Sequence, residues 1–181
     1  MGREVRRVPA DWQHPKYTAA ECREYPNRIG SYRPLFPQSF ESVTQEWDRD
    51  AAKWNDGFVS DWSGGWKPRE PKFHSGTYEE YAGKRPSEPG DYMPNWSEDQ
   101  RTHFMMYENV SEGTPISPAF PTPKELARWL AANGASAFGR ETASYEAWLR
   151  VCTGGYAPSM IGTMTADGMK LQSGVEALKD K

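Results

Sequence analysis

The side chains that can do chemistry in this chain of 181 residues are few and badly spaced for it. A cysteine nucleophile needs a cation or an imidazole beside it to favour the thiolate. Cys152 instead shares a helical stripe with Tyr145, Trp148 and Leu149, which predicts a buried and inert thiol. Neither Cys152 nor Cys22 has a CxxC or CxxH neighbour, so no zinc knuckle and no disulfide framework is signalled. His14, His74 and His103 lack the paired spacing of a helical metal site and read as surface or packing residues. Asp48, Asp50, Glu79 and Glu80 read as a solvated face. No catalytic residue, no metal ligand and no cofactor is expected.

Binding chemistry is better represented. In DWSGGWKPREPKF, residues 61–73, two tryptophans flank a Gly-Gly turn and basic residues follow. Three readings stay open for these rings. They can fold back over the helix expected at 39–54, anchor a protein partner as interface tryptophans and tyrosines do, or stack the bases of a single strand. The favoured working surface is Trp62, Trp66, Tyr78 and Tyr81, aided by Arg6 and Arg7, and it acts by occupying a protein. The alternative is a nucleic-acid-binding module built from the basic arm and the aromatic loop.

Composition bounds what these residues sit on. The length suits one domain, or one domain with an arm. Hydrophobic residues make up 36% of the chain, but 8 Trp, 9 Tyr and 7 Phe are among them, so rings rather than aliphatics must fill the core. The 15 prolines and 16 glycines predict long irregular connections. The net charge of -3 is uneven: residues 1–34 carry +3, residues 35–99 carry -6, and the rest are neutral. That arm is well short of the clustered Lys/Arg stripe of a dedicated nucleic-acid binder. No apolar run is long enough to span a bilayer and no signal-peptide pattern opens the chain, so a reduced cytosolic protein without a membrane partner is expected.

Three regions must position the candidate residues. Residues 1–38, broken by five prolines, read as an extended basic arm. Residues 39–164 read as one α+β domain: a small β-sheet with a β-β-α unit and about three helices, interrupted by a long aromatic loop region at 58–98. Residues 165–181 read as a polar tail that frays. Ser39 to Trp54 has helical spacing of Phe40, Val43, Trp47, Ala51 and Trp54. Thr77 to Ala82 offers one short turn of helix. His103 to Val110 is strand-like, residues 111–113 are a turn, and Thr114 to Phe120 returns as a second strand on a sheet edge. Thr122-Pro123-Lys124-Glu125 is a capping box that opens a helix burying Leu126, Trp129 and Leu130, closed by Asn133-Gly134. A last helix is expected from Thr142 to Cys152, and a short strand within Tyr156 to Met164.

Several stretches carry a resemblance: GREVRRVPADWQHP at the start, DYMPNW at 91–96, YENVSEGTPISPAF followed by ELARWLAANGASAFG, TASYEAWLRVCTGGYAPS, and SGVEAL at 173–178. Together they resemble an uncharacterised family of small proteins of tailed bacteriophages and prophages, over both ends and much of the middle, most thinly at 17–75. The resemblance implies a phage gene product working in the cytoplasm of a bacterial host. It implies no activity, cofactor or site residue. The function expected is that of a non-catalytic accessory protein that binds a host or phage protein, inhibiting a bacterial defence or redirecting host machinery.

Overall fold

The computed structural model describes residues 2–24, 31–61, 63–109, 113–165 and 168–177. In chain order the elements are β1 (Arg3–Val8), α1 (Ala19–Glu24), β2 (Phe36–Ser39), α2 (Phe40–Asn55), β3 (Phe58–Ser60), β4 (Trp66–Pro68) and α3 (Tyr78–Ala82). A 3-10 turn at Pro89–Asp91 leads into β5 (Tyr92–Met93), followed by β6 (His103–Glu108), β7 (Thr114–Pro115), α4 (Pro123–Ala132) and α5 (Tyr145–Gly154). The chain ends with β8 (Tyr156–Ala157), β9 (Met160–Thr165), β10 (Gly168–Ser173) and α6 (Gly174–Ala177). Helices and small sheets together make the α+β class expected from sequence. Six helices rather than three occur among the described residues, because α1, α3 and α6 are too short to show a periodic face.

Composition divided the chain at 38 and 164, but contacts group it as Met1–Leu35 with Trp96–Lys181 in one unit and Phe36–Asn95 in another. The first unit is built on a four-stranded antiparallel sheet in the order β7-β6-β1-β8. The segment read as a loose arm thus begins with an inner strand, paired to β6 from Arg3↔Glu108 through Val8↔His103. Its two buried arginines hid it. Directly opposed residues of an antiparallel pair share a face, so Val5, Met106 and Phe104 look one way and Arg6, Met105, Tyr107 and Val8 the other. On the first face Met106 joins Leu126, Ala127 and Leu130 of α4 and Ala147, Trp148, Val151 and Cys152 of α5 in one core. On the second face Trp12 and His14 bond the Tyr107 hydroxyl and the Leu35 carbonyl accepts from Arg6. Both faces being covered, β6 reads as an unbroken run, with Met105, Met106 and Tyr107 all buried.

The β-β-α unit stands as expected, with two differences. The returning strand shrinks to Thr114–Pro115 plus a single bridge from Phe120 to Phe104, since Pro115 and Pro118 have no N–H to give a ladder. Trp129 is only half-buried and Ala127 takes its expected place in the core. The Thr122 hydroxyl accepts the Glu125 amide at 3.2 Å and donates to its carboxylate at 2.9 Å, and Gly134 turns at φ +59°. The expected turn at 111–113 lies outside the described residues except for Gly113. After α5, capped by Ser144 and Gly155, the supposed fraying tail forms the β9–β10 hairpin and α6, with Val175 fully buried. Cys152 is 3% exposed, and burial pushes its thiol up to about 12. A thiol reagent is therefore expected to modify exposed Cys22 within minutes and Cys152 only at the rate of unfolding; equal rates would mean that α5 opens in the native state.

The second unit is small and aromatic. Ser39 caps α2 by accepting the Ser42 amide, and the helix closes at Asp56. Trp54, 1% exposed, stacks on Tyr81 at 4.5 Å, lies under the Arg69 guanidinium at 4.4 Å, and donates its indole N–H to the Gly76 carbonyl at 3.0 Å. Trp47 meets the edge of Tyr78 at 5.1 Å. A capping box between Thr77 and Glu80 fixes α3, which holds both tyrosines. The region expected to be a loop also contains the β3–β4 hairpin, tightened by Asp61, whose carboxylate accepts the amides of Ser63 and Gly65. Rings make this core, as composition predicted, whereas the helix-side core of the first unit is mostly aliphatic, with Trp148 the one ring among its described buried residues.

Candidate functional site

Of the residues expected to form a working surface, Trp66, Tyr78 and Tyr81 belong to the second unit and Arg6 and Arg7 to the first. Trp62 lies outside the described residues. Trp66 is half-buried with the Arg49 guanidinium 5.9 Å above its ring, and Tyr78 and Tyr81 pack around Trp54. Arg6 is 7% exposed. Its guanidinium stands 4.3 Å over the Tyr107 ring, donates to the Leu35 carbonyl at 2.9 Å and pairs with Glu4 at 3.2 Å. Arg7 is on the surface but bonds Glu98 at 2.8 Å and the Arg101 carbonyl at 2.6 Å. These arginines hold the first unit together.

The covered second face of the sheet contains something else. From Trp12 onward the chain is extended, so Trp12, His14 and Lys16 recur on one side at period two. The bridge Lys16↔Tyr32, with Tyr17 N–H donating to Ser31 and Arg33 N–H to Pro15, closes a loop containing α1. Arg33 pairs with Glu21 of that helix, and Thr18 and Glu21 cap it reciprocally. Trp12, His14, Lys16 and Tyr32 thereby face Met105, the stretch from Pro115 to Ala119, and Trp129 across a cleft of about 490 Å³. Ala10, Gln13, Lys16 and Pro118 on its rim are exposed.

His14, which lines the cleft, pairs with the fully buried Tyr107. The His14 Nε2 lies 2.6 Å from the Arg33 carbonyl, which can only accept, so Nε2 carries the proton. Nδ1 is then an acceptor for the Tyr107 hydroxyl at 3.2 Å, and that oxygen accepts the Trp12 indole N–H at 3.1 Å. Burial lowers the His14 pKa, with Arg6 adding to the effect against the bond to Arg33, so the ring is neutral near pH 7. Burial also pushes the Tyr107 phenol up to about 12. Neither group is poised to trade a proton. Around them stand Trp12, Tyr32 and Trp129 and one cation, Lys16, whose Nζ lies 5.1 Å from the Tyr32 ring centre. Among the described lining residues there is no carboxylate, and Lys16 makes no ion pair among the described residues.

The lowered His14 pKa has a measurable consequence. The unfolded chain binds this proton near 6.5 and the native state only below that, so the unfolded state holds more protons in the interval and stability falls as pH falls. Chemical denaturation from pH 7 to 5 should show a loss of at most about 1.4 kcal/mol per pH unit, absent in His14→Gln. Exposed carboxylates held low by hydrogen bonds, Glu21 and Glu80 among them, add their own loss only below about 4.5. A flat profile above pH 5 in the native protein would contradict the buried pair.

Sequence reasoning left Trp12 and Tyr32 within the extended arm and read His14 as a surface or packing residue. The period-two run from 12 to 16 was the available signal; Trp129 entered through tertiary structure alone. Among the described residues no three His, Cys, Asp or Glu side chains gather in one place, and no helix is long and apolar enough to cross a membrane. No protein-family model, curated protein or solved structure matches the chain.

Proposed function

We propose that this protein works by binding: it holds a segment of a protein partner in the cleft walled by Trp12, Tyr32 and Trp129. One observation carries the reading. His14, the imidazole that lines the cleft, spends both ring nitrogens on the Arg33 carbonyl and the buried Tyr107 hydroxyl, while the Trp12, Tyr32 and Trp129 rings line the cleft half-buried. Rings of this kind carry most of the energy at protein interfaces. The cleft offers phosphates one cation, and Arg6 and Arg7 are already ion-paired, which favours a protein over a nucleic acid. The setting we propose, from the sequence resemblance, is a bacteriophage accessory factor in the cytoplasm of its host, inhibiting a defence or redirecting host machinery.

Affinity purification of the tagged full chain from bacterial cells tests this when run beside Ala10→Trp, which fills the cleft from an exposed rim position without touching the core. A protein recovered with the native chain and lost with the variant, at unchanged melting temperature, is the expected result. Recovery of nucleic acid that falls steeply between about 50 and 200 mM salt would replace the protein reading with the nucleic-acid one.

A further inference from the structure

We infer that the cleft selects an extended acidic peptide segment, one in which Asp or Glu stands beside a proline or an aromatic ring. This rests on the binding reading above and names what the cleft prefers. Three features of the site point there together.

The first is charge. Lys16 is exposed at the rim, is held over the Tyr32 ring, and has no carboxylate partner among the described residues. The other cations nearby are spent: Arg6 on Glu4 and Leu35, Arg33 on Glu21. A single unpaired ammonium in a wall that has no carboxylate among its described residues favours one anionic group and repels a cation. The second feature is the shape of the apolar surface. Trp12 and Tyr32 present rings on one wall, and Trp129 with the exposed Pro118 adds flat faces on the other. Aromatic-lined grooves of this make-up take proline and ring side chains of an extended chain, which loses little entropy on binding.

The third feature is the backbone at the sheet edge. β7 is an edge strand, yet Pro115 has no N–H to offer, and the Ile116 amide already donates to Met106 at 2.8 Å. Addition of a partner strand to this edge is thereby obstructed, and the side chains of the cleft must do the recognising. The wall from Pro115 to Ala119 is itself a run of consecutive chain, a length that a short peptide can follow.

A random dodecapeptide display library selected against the full chain, with Lys16→Glu and Ala10→Trp as parallel baits, tests the inference. The expected result is enrichment of Asp or Glu next to proline or aromatic residues. Individual peptides should bind Lys16→Glu about tenfold or more weakly, the scale of one hydrogen bond to a charged group, and should not bind Ala10→Trp. Peptides abolished by Ala10→Trp but bound equally by Lys16→Glu would overturn the acidic preference and leave the binding cleft standing. Peptides indifferent to both variants, or no enrichment at all, would overturn both.

Discussion

Arg3→Ala is expected to destabilise the first unit by about 3–5 kcal/mol, enough to unfold it at moderate denaturant. Arg3 is 1% exposed on an inner strand, and its guanidinium donates to the Ser136 carbonyl at 2.7 Å, the Ser136 hydroxyl at 3.1 Å and the Gly2 carbonyl at 3.1 Å, with Glu108 at 3.8 Å. Burial lowers its pKa against the pull of Glu108, which shows how much the surroundings oppose the charge. Truncation leaves a cavity on the helix side of the sheet and a carboxylate that is 14% exposed without its cation. Urea titration by tryptophan fluorescence measures the loss. Adding Glu108→Leu to Arg3→Met should recover part of it, because removing both charges is cheaper than removing one. A loss under about 1 kcal/mol for Arg3→Ala would mean that β1 tolerates an empty position and is not the inner strand described.

Gly174→Ala is expected to cost roughly 3 kcal/mol, although the residue is close to the C-terminal end of the described chain. A Cβ there would overlap the backbone carbonyl of Pro158, and a peptide oxygen cannot rotate aside as a side chain can. The Gly174 amide donates to Ser159 at 3.1 Å, Val175 beside it is fully buried, and Glu176 accepts the amide of Ser144 at 2.6 Å where α5 begins. The substitution therefore pushes α6 off the core and takes a cap from α5. Gly154→Ala is the control: it lies within α5 where an added Cβ meets nothing, and it should be neutral or stabilising by up to about 0.5 kcal/mol. Equal melting temperatures for the two variants would show that α6 docks loosely.

Much of the architecture was legible because local chemistry announced it. Thr-x-x-Glu at Thr122 announced its helix; the same pattern opens helices at Thr18 and Thr77, the first of them inside the segment read as an extended arm. The strand-like composition at 103–108 became a strand and the apolar stripe at 145–152 a buried helix face. β1 was illegible because Arg3 and Arg6 signal solvent in a sequence, and only tertiary structure supplies the carbonyls and the ring that make their burial tolerable. The rings of residues 58–98 were legible as rings but not as to which neighbours they pack on: Tyr81 stacks on Trp54, which lies under Arg69, and stays 42% exposed itself. The cleft was the least legible, since Tyr32 and Trp129 are distant in sequence and line one cleft only in the folded chain.

The pairing of Val8 with His103 and of Arg3 with Glu108 sets a timetable for synthesis. The first strand leaves the ribosome with its partner about a hundred residues away, a wait of roughly 5–20 s at ordinary elongation rates. The pairings of the second unit, β3 with β4 and β2 with β5, are complete by residue 93. That unit is thus able to fold while β1, with its unpaired backbone and Val5 and Val8 uncovered, is still waiting, so the inserted unit precedes the sheet and any ribosome stall before residue 108 strands the opening segment where it is most prone to aggregate.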